Sequence, residues 1–164
     1  MPDADPGQSA AQSSKRILID TNILIYSTLA DDSRFEIARS VVLGRYSRND
    51  VGPEAERFVS VQNIAEMYPN LTGPKMTAPD SPATAMEKII SIASLSTLHV
   101  LPLTFDIQRI ALELCRKYEV HRQRFFDMQI AATMVAHRIG TLITENTGDF
   151  EDVEDIRILN PFAA

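Results

Sequence analysis

The chain of 164 residues has a single cysteine, Cys115, so it can form neither an intramolecular disulfide nor a zinc site built on cysteine pairs. It also has no apolar run near the roughly 20 residues that a membrane-spanning helix needs. The first 14 residues carry neither a basic nor an apolar region, so we do not expect a secretory signal there. Together these absences predict a protein of a reducing compartment, the cytoplasm, without a membrane segment.

Positive charge is also scarce, because 16 lysines and arginines face 22 aspartates and glutamates for a net charge of −6. Taken alone, this balance argues against a protein held to nucleic acid by bulk positive charge. The length suits one domain, and 45% hydrophobic residues are enough for a core. We therefore expect a disordered tail over residues 1–14 and a single domain over residues 15–164.

Short apolar segments alternate with helical patterns along the chain. The pattern predicts strands at residues 17–20, 58–60, 99–103, 141–144 and 156–159, and helices at residues 23–29, 34–48, 61–71, 83–94, 105–118 and 127–138. Residues 72–82 hold three prolines and a glycine and are predicted to be a loop. Because each connection between strands is long enough for a crossover, we predict an α/β fold with a mostly parallel sheet of four to five strands and helices on both faces.

Four carboxylates occupy positions that are unusual for surface acids. Asp20 ends the first strand and Asp149 follows the fourth, so both belong at the carboxyl edge of a parallel sheet, where ligands bind. Asp127 lies on the core side of its predicted helix, where an ionised carboxylate is costly without a partner. Glu66 borders the apolar stripe that we predict for its helix from Val61, Ile64, Ala65, Tyr68 and Leu71.

Each of these acids also has a simpler interpretation. Asp20 and Asp127 suit helix N-caps, Asp149 suits the cap of a short turn, and Glu66 suits the rim of a packed face. A set of four favours a shared site, and oxygen ligands without a cysteine or a histidine pair favour Mg²⁺ or Mn²⁺ over zinc. The remaining acids near the end of the chain are interpreted as a solvated acidic surface: Glu145, Glu151, Asp152, Glu154 and Asp155.

A family resemblance rests on four segments, which read Ile-Leu-Ile-Asp-Thr-Asn at 17–22, Ser-Val-Gln-Asn-Ile-Ala-Glu at 60–66, Phe-Asp-Met-Gln-Ile-Ala-Ala at 126–132 and Leu-Ile-Thr-Glu-Asn-Thr-Gly-Asp-Phe at 142–150. In this order they resemble the four acidic motifs of PIN-domain ribonucleases, over about residues 16–160. The single-domain build is most similar to VapC-like toxins of bacterial and archaeal toxin–antitoxin pairs. The resemblance implies a PIN-like three-layer α/β/α fold.

The resemblance further implies an endoribonuclease that uses Mg²⁺ or Mn²⁺ to hydrolyse RNA with a metal-activated water. It also implies a small antitoxin as partner and a homodimer. Glu145 departs from the pattern, because many relatives have a basic residue at that position. The implied catalytic and metal-binding residues are Asp20, Glu66, Asp127 and Asp149, and the implied supporting polar residues are Asn22, Thr144 and Asn146.

Cations that could contact RNA are concentrated in two segments, each with a local charge of +3. Residues 109–124 lead directly into Asp127 and are predicted to form a phosphate-binding rim. Residues 34–48, with Arg34, Arg39, Arg45 and Arg48, fit either a second rim or a solvated helix face. The candidate substrate-binding residues are Arg116, Lys117, Arg122 and Arg124.

Two other classes of function compete with the nuclease. A phosphatase of the haloacid-dehalogenase type would need an acid two residues after Asp20, where this chain has Asn22. A non-catalytic PIN-like module that binds RNA or protein has no need to gather like charges. The three histidines are scattered, with His99 expected beside a strand and His137 on a helix surface, and Cys115 is expected to be a buried structural thiol.

Overall fold

A computed structural model describes residues 16–48 and 50–164. The tail expected over residues 1–14, and Lys15, lie outside these residues. The described residues form one five-stranded sheet in the order β3-β2-β1-β4-β5, and every pairing is parallel. Its strands are β1 (Arg16–Ile19), β2 (Glu56–Ser60), β3 (Leu98–Leu101), β4 (Thr141–Ile143) and β5 (Arg157–Leu159).

Within the described residues, six α-helices connect the strands, and 3₁₀ turns occupy Arg122–Arg124 and Thr147–Asp149. None of these helices has both the length and the apolar character required to cross a bilayer. The helices are α1 (Thr21–Tyr26), α2 (Phe35–Val42), α3 (Val61–Leu71), α4 (Pro82–Ala93), α5 (Phe105–Lys117) and α6 (Phe125–Ala136).

The sheet separates two apolar layers, because neighbouring side chains of β1 point to opposite faces. Ile17 and Ile19 pack on one face with residues of the first four helices, including Met67 of α3. Leu18 packs on the other face with Ile130 of α6 and with its sheet neighbours. This arrangement confirms the predicted three-layer α/β/α fold.

The helix predicted over residues 34–48 is shorter in the structure and ends at Val42. Gly44 adopts φ +72°, and the N–H groups of Gly44 and Arg45 donate to the carbonyls of Val41 and Ser40. These are the two hydrogen bonds of a Schellman motif, in which a left-handed glycine ends the helix.

The packed face of α3 also differs from the predicted stripe. Val61 and Tyr68 are 44% and 43% exposed, whereas Gln62 and Asn63 are buried with Met67 and Leu71. Ser60 caps the helix, since its Oγ accepts from the Asn63 N–H while the Asn63 side chain accepts from the Ser60 N–H. The prediction was wrong for Val61 and Tyr68, because polar residues with partners occupy part of the buried face, whereas Leu71 is buried as predicted.

Candidate active site at the carboxyl edge of the sheet

Asp20 lies directly after the central strand β1, at the carboxyl edge of the sheet, and its side chain is bound on both oxygens. Oδ1 accepts from the Thr21 N–H at 2.8 Å, and Oδ2 accepts from the Thr144 hydroxyl at 2.7 Å. The residue is only 9% exposed and occupies the N-cap of α1. The four acids singled out in the sequence, Asp20, Glu66, Asp127 and Asp149, are called the acidic edge below. Because the helix cap uses only Oδ1, Asp20 can cap α1 and also contribute Oδ2 to the acidic edge.

Thr144 is a fully buried link between β4 and Asp20. Besides donating to Asp20, its Oγ1 accepts from the Asn22 side chain at 3.1 Å and from the Asn146 backbone N–H at 3.0 Å. The Asn22 side chain also reaches Asp20 Oδ2 at 3.4 Å. Asn22 and Thr144 thus hold the Asp20 carboxylate with their side chains, and Asn146 contributes its backbone.

Glu66 reaches the same edge from α3. Its Oε2 accepts from the Thr21 hydroxyl at 2.9 Å, and its Oε1 accepts from the Gln62 side chain at 2.8 Å. Asn63 donates to the same Thr21 oxygen at 3.1 Å. Glu66 and Asp20 therefore share Thr21 as a partner, a residue whose role the sequence pattern did not predict.

Asp127 lies in the first turn of α6, whose N-cap is Arg124, so the alternative that Asp127 caps this helix was wrong. The carboxylate is half-buried, and its pKa is raised to about 7. Burial is the main cause, and the charges of Asp149 and Asp20 add to it, whereas Arg124 acts in the opposite direction.

Asp149 is exposed at the end of the 3₁₀ turn Thr147–Asp149, so it does not cap that turn. Its backbone carbonyl accepts from Arg124 at 3.5 Å. Its charge raises the pKa of both Asp20 and Asp127.

The charges of neighbouring acids raise the pKa of Asp20 as well as that of Asp127. The pKa of Asp20 is raised chiefly by burial, and the charges of Glu66 and Asp149 raise it further against hydrogen bonds from Thr144 and Thr21. In residues 16–48 and 50–164, no three acidic, histidine or cysteine side chains form a ready-made metal site. Mg²⁺ usually keeps several waters and takes one or two carboxylates, so this all-oxygen edge fits a hydrated cation.

The proposed phosphate-binding cations differ in their contacts. Arg124 borders the acids, whereas Arg116 pairs with Glu113 at 2.6 Å and Lys117 with Glu154 at 2.7 Å. Arg122 begins the 3₁₀ turn with φ +54°. Arg124 is therefore the candidate whose contacts reach the acidic edge, and Glu154, which lies outside the segment, offsets one of its positive charges.

Glu145 was wrongly interpreted as part of a solvated acidic surface. Its carboxylate accepts from the Tyr26 hydroxyl at 2.6 Å and from Arg34 at 3.0 and 3.1 Å. Arg34 also binds both oxygens of Asp32 at 2.8 Å and stacks 3.6 Å from the centre of the Tyr26 ring. Burial, followed by the contact with Glu145, raises the pKa of Tyr26 to about 12. Arg34 is thus bound within the protein, where it is shared between the carboxylates of Asp32 and Glu145.

A cleft of about 740 Å³ opens beside Asn22, between the end of α1 and the loop over residues 72–81. Apolar side chains line it together with charged ones that are largely paired, such as Lys88 with Asp80 at 2.8 Å. Representative lining residues are Ile25, Tyr26, Leu29, Met76, Asp80 and Lys88.

The isolated histidines and the cysteine lie apart from this chemistry. His99 is an exposed residue within β3 whose ring lies 5.3 Å from that of Phe58, so it is part of the strand rather than beside it. His137 is the C-cap of α6. Cys115 was expected to be buried but is half-buried against an apolar cluster, and burial raises the pKa of its thiol.

The fold and the site define an α/β protein with an acidic edge where the strand order reverses, the position at which such sheets bind ligands. The sequence matches the family model of the PIN domain over residues 17–156, and the chain belongs to this family. The resemblance seen in the four acidic segments is thereby confirmed. Comparison with individual curated proteins gives no match.

Solved structures with the same fold include components of toxin–antitoxin systems. A toxin–antitoxin complex from Klebsiella pneumoniae is 22% identical, with a TM-score of 0.58, and covers 90% of this chain and 99% of its own. VapBC2 from Rickettsia felis, bound to a promoter DNA fragment, is 16% identical with a TM-score of 0.59 over 88% and 98%. VapC20 from Mycobacterium tuberculosis, a toxin that cleaves the sarcin–ricin loop, is 14% identical with a TM-score of 0.59 over 84% and 95%.

Proposed function

We propose that this chain is an endoribonuclease that depends on Mg²⁺ or Mn²⁺ and acts as the toxin of a toxin–antitoxin pair. The observation that carries the proposal is the gathering of four carboxylates at one sheet edge, where neighbouring acidic charges raise the pKa of Asp20 and of Asp127. Like charges held together destabilise a fold unless a cation or proton offsets them. Membership of the PIN family and structural neighbours that include a cleaving toxin support the same activity.

Asp20 and Asp127 would hold the cation, and Glu66 and Asp149 would bind its water ligands. Bound Mg²⁺ or Mn²⁺ would supply an activated water and offset charge on the scissile phosphate. Thr144 and the Thr21 N–H fix the Asp20 carboxylate, so its orientation does not depend on the substrate.

RNA would approach along the 3₁₀ turn Arg122–Arg124. Arg124 lies where its guanidinium can contact a phosphate next to the acids, because it already reaches the Asp149 carbonyl. Arg122 would extend this contact along the backbone. Arg116 and Lys117 would act only after leaving their surface pairs, which are weak in water.

The antitoxin would occupy the cleft beside Asn22. Its mixture of apolar side chains and paired charges suits a peptide better than RNA, whose phosphates require unpaired cations. A peptide in this cleft would lie next to the acidic edge and obstruct the substrate. A homodimer, as the resemblance implies, is part of the same proposal.

Cleavage of end-labelled RNA by the purified chain tests the activity. We expect cleavage with Mg²⁺ or Mn²⁺, none in EDTA, and a loss of about 100-fold or more in Asp20→Asn and Asp127→Asn. Glu87→Gln, which removes an exposed charge on α4, is the control and should cleave like the unmodified chain. The product of an adjacent small reading frame should suppress cleavage when added.

Equal cleavage by all forms, with and without EDTA, would contradict the metal-dependent mechanism. Binding of RNA without cleavage by any form, in either metal, would instead favour the non-catalytic module.

A further inference from the structure

Three glutamine side chains form a continuous hydrogen-bonded chain that ends on Glu66. The side-chain NH₂ group of Gln108 in α5 donates to the side-chain carbonyl of Gln129 at 2.7 Å. The side-chain NH₂ group of Gln129 in α6 donates in turn to the side-chain carbonyl of Gln62 at 2.6 Å. Gln62 of α3 then donates to Glu66 Oε1 at 2.8 Å and to the backbone carbonyl of Phe126 at 2.9 Å. The chain therefore connects three helices to one carboxylate of the acidic edge.

The direction of this chain is fixed by its last member. The Glu66 carboxylate and the Phe126 carbonyl only accept hydrogen bonds, so Gln62 must present its NH₂ group to them. Its carbonyl then faces Gln129, which must present its own NH₂ group, and the same requirement passes to Gln108. Each amide therefore has a single compatible orientation, which the Phe126 carbonyl alone is enough to fix.

Two of these amides are deeply buried. Gln129 is 4% and Gln62 is 6% exposed, so losing a partner would leave a buried polar group unsatisfied. A buried polar network whose members are all bonded is rigid, and successive hydrogen bonds polarise one another in the same direction. The rigidity of the network fixes the position of Glu66 Oε1, and the polarisation strengthens the hydrogen bond that this oxygen accepts from Gln62.

We propose that Gln62, held in place by Gln129 and Gln108, is a positioning residue that fixes Glu66 relative to the first turn of α6. The same NH₂ group binds the Glu66 carboxylate of α3 and the carbonyl of Phe126, the residue before Asp127. It thereby sets the spacing between the helices that carry two of the four acids. This inference rests on the proposed metal-dependent function, because the spacing matters most for binding a cation.

The first test is calorimetric titration of Mn²⁺ into the full chain and into Gln62→Met and Gln129→Met, which keep the approximate side-chain volume but break the chain of amides. We expect Mn²⁺ affinity to fall about 10- to 100-fold in both, the range seen when residues supporting metal ligands are replaced. Thr133→Val is the matched control, because it removes a buried hydrogen bond of α6 to the backbone carbonyl of Gln129 without touching the side-chain amides. It should bind Mn²⁺ like the unmodified chain.

The second test uses no metal and follows the side-chain amide signals by NMR. In the unmodified chain, we expect the Gln62 and Gln129 NH₂ protons to exchange slowly with solvent. In Gln129→Met, the Gln62 NH₂ protons should exchange faster and shift, while in Thr133→Val they should not.

The outcomes separate the two proposals. Mn²⁺ binding that is equally tight in Gln62→Met and in the unmodified chain would overturn the role of Gln62 and leave the metal-dependent function standing. No Mn²⁺ binding by the unmodified chain would overturn that function and, with it, the role of Gln62 at a metal. Fast exchange of the Gln62 amide in the unmodified chain would overturn the glutamine chain itself.

Discussion

Asp127 is the residue at which the conflict between burial and charge can be measured. The fold raises its pKa to about 7, chiefly through burial and next through the charge of Asp149, whereas an unfolded aspartate titrates near 3.8. Without metal, the native state therefore holds a proton at Asp127 between about pH 4 and 7 that the unfolded state has lost. The stability linked to this proton is fully present below pH 4 and is lost as the pH rises through about 7.

Asp127→Asn should consequently stabilise the metal-free chain at neutral pH. In EDTA at pH 7.5, we expect its free energy of unfolding to exceed that of the unmodified chain by about 1 to 2 kcal/mol, a value reduced because solvent screens a half-buried group. Near pH 4 the difference should approach zero. Urea denaturation at both pH values measures it, with exposed Asp152→Asn as the control. An unmodified chain more stable than Asp127→Asn at pH 7.5 would contradict the raised pKa.

Some site residues were predictable from the sequence because their positions follow from local periodicity. Asp20 ends an apolar strand and Asp127 precedes apolar residues at helical spacing, so each lies on an identifiable edge or face. Thr21 and Gln129 were missed because their importance depends on hydrogen bonds across elements. Glu145 was misinterpreted for the same reason, since Arg34 lies 111 positions earlier in the chain.

At the scale of secondary-structure elements, the strand and helix types were predictable but some boundaries and faces were not. The end of α2 depends on Gly44, whose left-handed conformation forms the Schellman motif. The buried face of α3 contains Gln62 and Asn63, which hydropathy alone places outside. Apolar periodicity identifies the buried face of a helix reliably only where that face is apolar.

Arg57 of β2 organises the irregular segment after α2 although it carries a charge into the interior. It is 4% exposed and donates to the carbonyls of Val41, Gly52, Pro53 and Ala55. Burial lowers the pKa of its guanidinium. Through these hydrogen bonds the side chain connects β2 to the end of α2 and to the segment over residues 52–55.

Arg57→Met should destabilise the chain by about 2 to 3 kcal/mol, because it leaves several buried carbonyls without a donor. Arg57→Lys should recover only part of this loss, since one ammonium cannot reproduce the planar fork of a guanidinium. Urea denaturation gives the free energies, and Arg45→Met, at an exposed position in the same segment, serves as the control. Unchanged stability in Arg57→Met would show that the carbonyls find other partners.

At the scale of the whole molecule, a net charge of −6 has to be reconciled with a proposed RNA substrate. Each divalent cation adds two positive charges, so two of them at the acidic edge would bring the net charge to about −2. The net charge already counts Arg34 and Lys117, so their pairs with Glu145 and Glu154 reduce repulsion only locally. The negative charge that bound cations would offset is the charge of the acids at the edge of the sheet.

This distribution predicts that removing acidic charge will increase metal-free RNA binding even as it abolishes cleavage. In EDTA at low salt and about pH 8, where metal-free Asp127 has lost its proton, we expect the double variant Asp20→Asn, Asp127→Asn to bind labelled RNA about 3- to 10-fold more tightly than the unmodified chain, because repulsion of the phosphates is reduced. The difference should shrink as salt is added, since screening acts on this repulsion. Fluorescence anisotropy measures both effects, and Asp152→Asn should leave the affinity unchanged. If the double variant binds no better than the unmodified chain at low salt, the acidic edge does not lie in the path of the RNA, and the phosphates must approach another face of the molecule.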